Sequence, residues 1–430
     1  MHQGQLDHWP VGDWSLVWDL PLWRLAPHAM TLPLIIYRSL RQHALSTLVT
    51  AGSIALACGL LMTVWAVKTQ SQAAFATTGG TFDAVLGARG SKLQLVLNAI
   101  FHLEASPGNL AYADYEFIKR HPAVKAAFPI AVGDNLRGYR LVGTLPEFFT
   151  ELTLAPGRTL ALEPGGRWFA GEAKEAVAGS FAAERLGLKA GDTFHPFHGL
   201  AYDERSQHAE TYTVTGVLRP TNTPMDRVIW IPLRGVQTMS GHDPRAATDI
   251  SAVLVQLRAP TAGFMLDLMY NKQGNRLTFA YPVGTIIAEL FSKIAWFDRV
   301  LELVAYLVAL VAAGSVLASI YNSMSARQRD LAILRSLGAR RRMIFGAVVC
   351  EAAVIGVIGS LAGLGVYLAL LASAASVIRA QTGVVLAVWH WQPVLAACPA
   401  AMIVLCALGG VVPALKAYRT PVAATLAPVS

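Results

Sequence analysis

Residues 325–345 read SARQRDLAILRSLGARRRMIF, and this stretch decides the architecture. It lies between two long apolar runs, so it forms a short loop joining two membrane spans. It carries Arg327, Arg329, Arg335, Arg340, Arg341 and Arg342 against the single acid Asp330. Arginine excess in a short loop holds that loop in the cytoplasm. The stretch also has helical spacing, with Leu331, Leu334 and Leu337 on or near one face and Gly338 as a C-terminal stop. Two readings follow. A basic helix with a small apolar face, held at the inner membrane surface, is suited to docking a cytoplasmic partner. The plainer reading is a positive-inside loop that only fixes orientation.

Working outward, the chain is apolar: 54% of its 430 residues are hydrophobic and 14% charged, against about 25% charged in ordinary soluble domains. A span needs about 20 apolar residues, and four stretches meet that: 44–67, 299–322, 343–371 and 393–415. The third is longer than required, so it tilts or its ends protrude. Residues 68–298 carry the polar and charged character of a water-soluble domain. Residues 372–392 form a short external loop with one charge, Arg379. Residues 1–43 and 416–430 are cytoplasmic ends and 323–342 the cytoplasmic helix. Arg38, Arg41, Lys416 and Arg419 then share the side of the arginine loop, as an even number of spans requires. The expected fold is an α-helical membrane protein with four transmembrane helices and a large α+β extracytoplasmic domain between the first and second.

The net charge of +8 does not point to nucleic acid, because the cationic clusters sit at membrane boundaries where topology accounts for them. Cys58, Cys350, Cys398 and Cys406 all fall in spans, so the external domain is held by its core and not by disulfides. The first 29 residues hold Trp9, Trp14, Trp18 and Trp23 without helical pattern and without the basic start and apolar core of a signal peptide. They are either an interfacial anchor or lie ahead of a true start at Met30, which the pattern favours. Enzyme motifs are missing. GARGSK at 87–92 lacks the Gly-Lys-Ser/Thr order that wraps phosphate, and there is no GxSxG or HExxH. Work done by such a chain is driven from outside it.

Within the spans, Gly356, Gly359, Gly363 and Gly365 line the third, and Gly359/Gly363 form a GxxxG pair that lets helices approach closely, inside one chain or between two. Glu351 is the one carboxylate well inside a span. Being about two turns from Arg342, it reads as a structural or coupling ion pair, with a proton or substrate path as the other reading. In the external domain the pattern predicts a helix over 112–119, a strand near 138–143, strand–helix–turn–strand over 176–194, two strands within 211–233 and one over 252–257. It also predicts one continuous helix over 285–321 that starts in the domain and becomes the second span. The polar loop 194–211, FHPFHGLAYDERSQHAET, holds His195, His198, Asp203, Glu204, His208 and Glu210. It is either a solvated loop or a divalent-ion site. The irregular spacing and absent thiolates predict that His195, His198 and His208 form no tight structural zinc site.

The chain resembles the FtsX-like permeases of ABC transporters, of the MacB and LolC/LolE type. The resemblance rests on RQRDLAILRSLGARRRMIF (327–345), on EAAVIGVIGSLAGLGVYLAL (351–370), and on the external segments 176–194 and 212–232. It covers most of the chain after Met30. It departs from MacB, which fuses its ATPase to the same chain. The resemblance implies a permease without enzymatic activity or bound cofactor, with ATP and magnesium handled by a separate cytoplasmic ABC ATPase subunit. It implies Arg327, Arg329, Asp330, Leu331, Leu334, Leu337 and Gly338 as coupling residues. It also implies a second permease copy (homodimer or related heterodimer), a periplasmic lipoprotein or adaptor, and lipid as neighbours, in a bacterial inner membrane. The implied mechanism transmits force to the external domain, for export or extraction of a lipoprotein, peptide or small hydrophobic substrate. Two other classes stay open: an ATP-switched scaffold that recruits a periplasmic hydrolase, and a zinc-linked transport component suggested by the histidine loop.

Overall fold

The computed structural model describes residues 32–154, 157–242, 247–326, 336 and 340–419. A short amphipathic helix, α1 (Leu32–Gln42), leads into α2 (Ala44–Gly79). Three further long helices follow the external domain: α3 (Val283–Ala326), α4 (Arg341–Thr382) and α5 (Val394–Arg419). Among the described residues, α2 to α5 are the four helices long and apolar enough to cross a membrane. The helices outrun the apolar stretches. Residues such as Lys68, Thr69 and Gln70 end the apolar run of α2 but do not break its backbone hydrogen bonding, which ends only at Gly79.

By internal packing the described residues fall into two units, one within 32–54, 311–359 and 401–419, the other within 55–310 and 360–400. The second contains the external domain. Its centre is a ten-stranded sheet: β1 (Ala84–Ala88), β2 (Val124–Leu136), β3 (Tyr139–Thr144), β4 (Glu175–Ala178), β5 (Thr193–Phe194), β6 (Phe197–His198), β7 (Tyr212–Val217), β8 (Ile229–Pro232), β9 (Ala252–Leu257) and β10 (Leu277–Ala280). The order across the sheet is β10-β1-β9-β2-β3-β8-β4-β7-β5, with β6 on β2. The pairs β3–β8 and β4–β7 are parallel, and the other pairs in the sheet antiparallel.

Both faces of the sheet are covered, and the alternation of strand side chains shows how. Ile229, Ile231, Leu141, Val253 and Val255 enter one core. Trp230, Val142, Leu254 and Ala280 enter the other. The helix Tyr112–Lys119 buries Tyr115 and Ile118 in the first core, and Ser180–Leu186 adds Ala182 and Ala183 before Gly187 ends it in the left-handed conformation. The second core takes in Val283, Ile286 and Ile287, the first turns of α3. The helix that becomes a span is therefore rooted in the sheet. Its 44 residues measure about 66 Å at 1.5 Å per residue, roughly twice the hydrocarbon thickness. Phe75 of α2 packs on the same core, 4.9 Å from the Phe101 ring and 5.5 Å from that of Phe291 on α3. Lys68 and Glu302 pair at 2.7 Å between the same two helices. The last turns of α4 and the stretch after it pack here too. Arg379 bonds Glu184 at 2.8 Å and lies over the Phe181 ring, and Ala387 N–H donates to Gln70 Oε1.

One buried histidine makes this core pH-sensitive. His102 is buried with a left-handed backbone, φ 55°. Its Nδ1 has no partner among the described residues, and its ring meets Trp230 edge-on. Burial, helped by the charges of Arg140 and Arg227, pushes its pKa down to about 3. The unfolded chain takes up this proton near pH 6.5. Between pH 6.5 and 3 the unfolded state thus binds more protons, and stability falls as pH falls, by about 1.4 kcal/mol per unit. Asparagine tolerates the left-handed backbone. From pH 7 to 5 the wild-type protein should lose about 2 kcal/mol more than His102→Asn, measured by unfolding in detergent. Parallel pH profiles would show that the folded imidazole protonates freely.

Candidate functional site

The coupling residues Arg327, Arg329, Asp330, Leu331, Leu334, Leu337 and Gly338 lie outside the described residues, as do residues 1–31. The described flanks are basic and aromatic. The Arg341 guanidinium lies 5.6 Å over the Tyr418 ring, and Lys416 Nζ 4.0 Å over that of Tyr321. Glu351 on α4 accepts a hydrogen bond from Ser39 of α1. Three of the α4 glycines, Gly356, Gly359 and Gly363, face other helices of the same chain. A Cβ on Gly356 would meet Cys406 and Ile403 of α5, and one on Gly359 would meet Ile54 and Ala51 of α2. One on Gly363 would meet Cys58 and Ala55 of α2.

Among the described residues, a cluster of metal-ligand-type side chains stands in the external domain. Asp134, near the end of β2, is fully buried, next to a register shift at Gly133. Such a bulge re-aims the side chain that follows it. Directly opposite Asp134 on β6 stands His198. The chain then loops out over residues 199–206 and returns. Asn135 Nδ2 donates to Gly199 O and Ala201 O at 2.8 and 3.2 Å, and His208 N–H donates to Pro196 O at 2.8 Å. This return brings His208 beside Asp134. The fourth member, His242, comes from the turn after the helix Leu233–Gln237, where its N–H donates to Met239 O.

Three ring nitrogens converge on one carboxylate oxygen. His208 Nε2 and His242 Nε2 are each 3.1 Å from Asp134 Oδ1, and His198 Nδ1 is 3.4 Å from it. One ligand-type atom from each of the four residues lies within 4.8 Å of all the others. Asp134 Oδ2 is buried without a hydrogen-bond partner among the described residues. The opposite nitrogens of two rings are anchored to backbone: His208 Nδ1 to Ser240 O at 2.7 Å, His242 Nδ1 to Val236 O at 2.8 Å. Glu210 fixes the first anchor by accepting from Ser240 N–H and Oγ at 2.9 and 2.8 Å. The hydrogen bond with Asp134 pushes the His242 pKa up, against the opposing effect of burial. The site opens on a cleft of about 320 Å³ lined by His198, His242, Asn109, Asp249 and Ser251.

Of the three histidines singled out by sequence, His198 and His208 are brought together here. His195 is elsewhere, its Nδ1 on Glu210 O at 3.1 Å. Asp134 and His242 were missed. Asp134 reads as one polar residue in a strand run and His242 as one in a turn, and no local spacing links either to the histidine loop.

The chain matches the family model of the MacB-like periplasmic core domain over residues 44–263 and that of the FtsX-like permease C-terminal region over 302–422. No curated protein matches it. Among solved structures, it is similar to the periplasmic region of MacB from Actinobacillus actinomycetemcomitans at 11% identity, covering 50% of this chain and 95% of that one, TM-score 0.33. It is also similar to the extracellular domain of the noncanonic ABC-type transporter YknZ from Gram-positive bacteria at 16% identity, covering 45% and 97%, TM-score 0.29.

Proposed function

Because this chain belongs to the MacB-like periplasmic core domain family and ends in an FtsX-like permease region, we propose that it transmits force from a separate cytoplasmic ABC ATPase to its own extracytoplasmic domain. It is a multi-pass inner-membrane permease of the ABC transporter class, with the large domain outside. The observation that carries the proposal is α3. It begins as buried core of the domain at Val283, Ile286 and Ile287 and continues unbroken to Ala326, next to the arginine-rich segment. A helix without a break resists bending, so a push at its cytoplasmic end reaches the sheet. The tie of Phe75 to Phe291 and of Lys68 to Glu302 makes α2 move with it. ATPase subunits of this class close as a pair, so a second permease copy completes the machine. The cargo it moves is a lipoprotein, peptide or small hydrophobic substrate.

In this reading Leu331, Leu334 and Leu337 enter a groove on the ATPase while Arg327 and Arg329 meet acidic residues at its rim. Apolar anchors carry most of an interface's energy and rim charges less. Leu334→Asp buries an unpaired charge, a cost of about 3–5 kcal/mol, so co-purification of the ATPase and its stimulated turnover should both be lost. The spans should still insert. Arg329→Ala should cost about 1 kcal/mol or less, an effect that shrinks as salt rises. Normal ATPase binding and turnover with Leu334→Asp would reduce the segment to an orientation signal and remove the proposal's support.

A further inference from the structure

We propose that Asp134, His198, His208 and His242 bind one divalent transition-metal ion of the zinc class at the base of the extracytoplasmic cleft. The inference does not depend on ATPase coupling. It begins with a buried carboxylate. An ionised Asp at zero exposure is costly unless paired, yet among the described residues the charge of Asp134 is met by imidazoles alone, and its Oδ2 by nothing.

The tautomers sharpen the point. A backbone carbonyl only accepts, so Ser240 O and Val236 O each take the Nδ1 proton of His208 and His242. A neutral ring has one N–H. When neutral, each ring therefore turns a bare Nε2 lone pair toward Asp134 Oδ1, itself an acceptor. Lone pairs facing lone pairs at 3.1 Å repel. Protonating one ring satisfies its own contact but leaves the other lone pair facing Oδ1, and protonating both would place two imidazolium ions side by side in a confined site. A single cation at the centre resolves all of it. Anchoring the outer ring nitrogen on a carbonyl is also how metal-binding histidines are commonly oriented.

The dimensions agree. Metal–ligand bonds of 2.0–2.1 Å in a tetrahedron set neighbouring donors about 3.3 Å apart. The observed distances from Oδ1 to the three nitrogens are 3.1, 3.1 and 3.4 Å. Three imidazoles and one carboxylate suit zinc and its first-row neighbours, whereas magnesium and calcium prefer all-oxygen shells. The ligands come from three separated segments: the bulge of β2, β6 with the loop that returns from it, and the turn at His242. His198, with over half its side chain exposed, is the ligand that an incoming metal donor in the cleft reaches first.

The test uses the full-length protein in detergent, stripped with chelator, and zinc as the probe. Titration against a competing chromophoric chelator should give one ion per chain at sub-micromolar affinity, undisturbed by millimolar magnesium or calcium. Cobalt in place of zinc should give the intense visible bands of a tetrahedral site. His198→Ala, at an exposed position that leaves the fold intact, should weaken zinc binding at least tenfold. His198→Ala/His242→Ala should weaken it at least 100-fold and abolish the zinc-dependent rise in melting temperature. His195→Ala should change nothing. Absence of stoichiometric zinc binding, displacement by magnesium or calcium, or unaltered affinity in the double variant would each overturn the proposal.

Discussion

Trp230→Ala should lower the unfolding free energy of the extracytoplasmic domain by about 3–5 kcal/mol, the range for deleting a large aromatic from a packed core. Trp230 is 1% exposed at the middle of the parallel and antiparallel pairing of β8. Its ring stacks on Phe148 at 4.8 Å and meets Phe149 edge-on at 6.0 Å. Those rings in turn hold Phe128 at 5.4 Å and Trp168 at 4.6 Å. Each neighbour is fixed by others, so the cavity cannot collapse cheaply. A loss of this size is a large share of the about 5–15 kcal/mol that typical domains possess. Trp230→Phe is the informative partner. It keeps the stacking and removes an indole N–H that is buried without a partner among the described residues, so it should cost under about 1.5 kcal/mol. Denaturant unfolding of the detergent-solubilised chain, followed by near-ultraviolet dichroism, measures both. A change below 1 kcal/mol for Trp230→Ala would mean that the second core is not centred on this ring.

What could be read from sequence and what could not divide along the range of the interactions involved. The spans were legible because a bilayer demands a long apolar run of the chain itself, wherever else it packs. The helix Tyr112–Lys119 and the strand Ala252–Leu257 coincide with the predicted 112–119 and 252–257, and α3 encloses the predicted 285–321. In each case the apolar spacing was strong and nearby turn residues marked the ends. The 13-residue strand β2 was not legible. Pro129 within it reads as a breaker, and Gly133 as a turn, although Pro129 stands opposite Val253 and Gly133 makes the bulge. Nor was the sheet order, since β1 lies between β9 and β10, both far along the chain. The histidine cluster failed for the same reason. Metal spacing rules detect ligands close in sequence, whereas Asp134, His208 and His242 meet only through the return of a loop onto a bulged strand.

Gly359→Leu should destabilise the membrane helices by about 2–3 kcal/mol, and Gly365→Leu, six positions along the same helix, should leave them nearly unchanged. The difference lies in what a side chain would meet. A Cβ on Gly359 would stand 2.6 Å from Ile54 Cβ and 3.0 Å from the Ala51 carbonyl oxygen, so even its first carbon overlaps α2. The carbonyl belongs to backbone and cannot swing away, and relief requires α2 and α4 to part. In lipid, helices gain nothing from hiding apolar surface from water, so their association depends on close van der Waals contact. Parting them by even a fraction of an ångström forfeits much of it. A Cβ on Gly365 would meet nothing within 4 Å, and a leucine there simply faces open space. Both variants add the same apolar bulk to one helix, so expression and insertion are matched between them. Thermal unfolding in detergent, read by size-exclusion chromatography after heating, should show a midpoint lowered by several degrees for Gly359→Leu alone. Equal midpoints for the two would mean that the glycine face of α4 does not seat α2, and that its small residues serve a contact outside the chain.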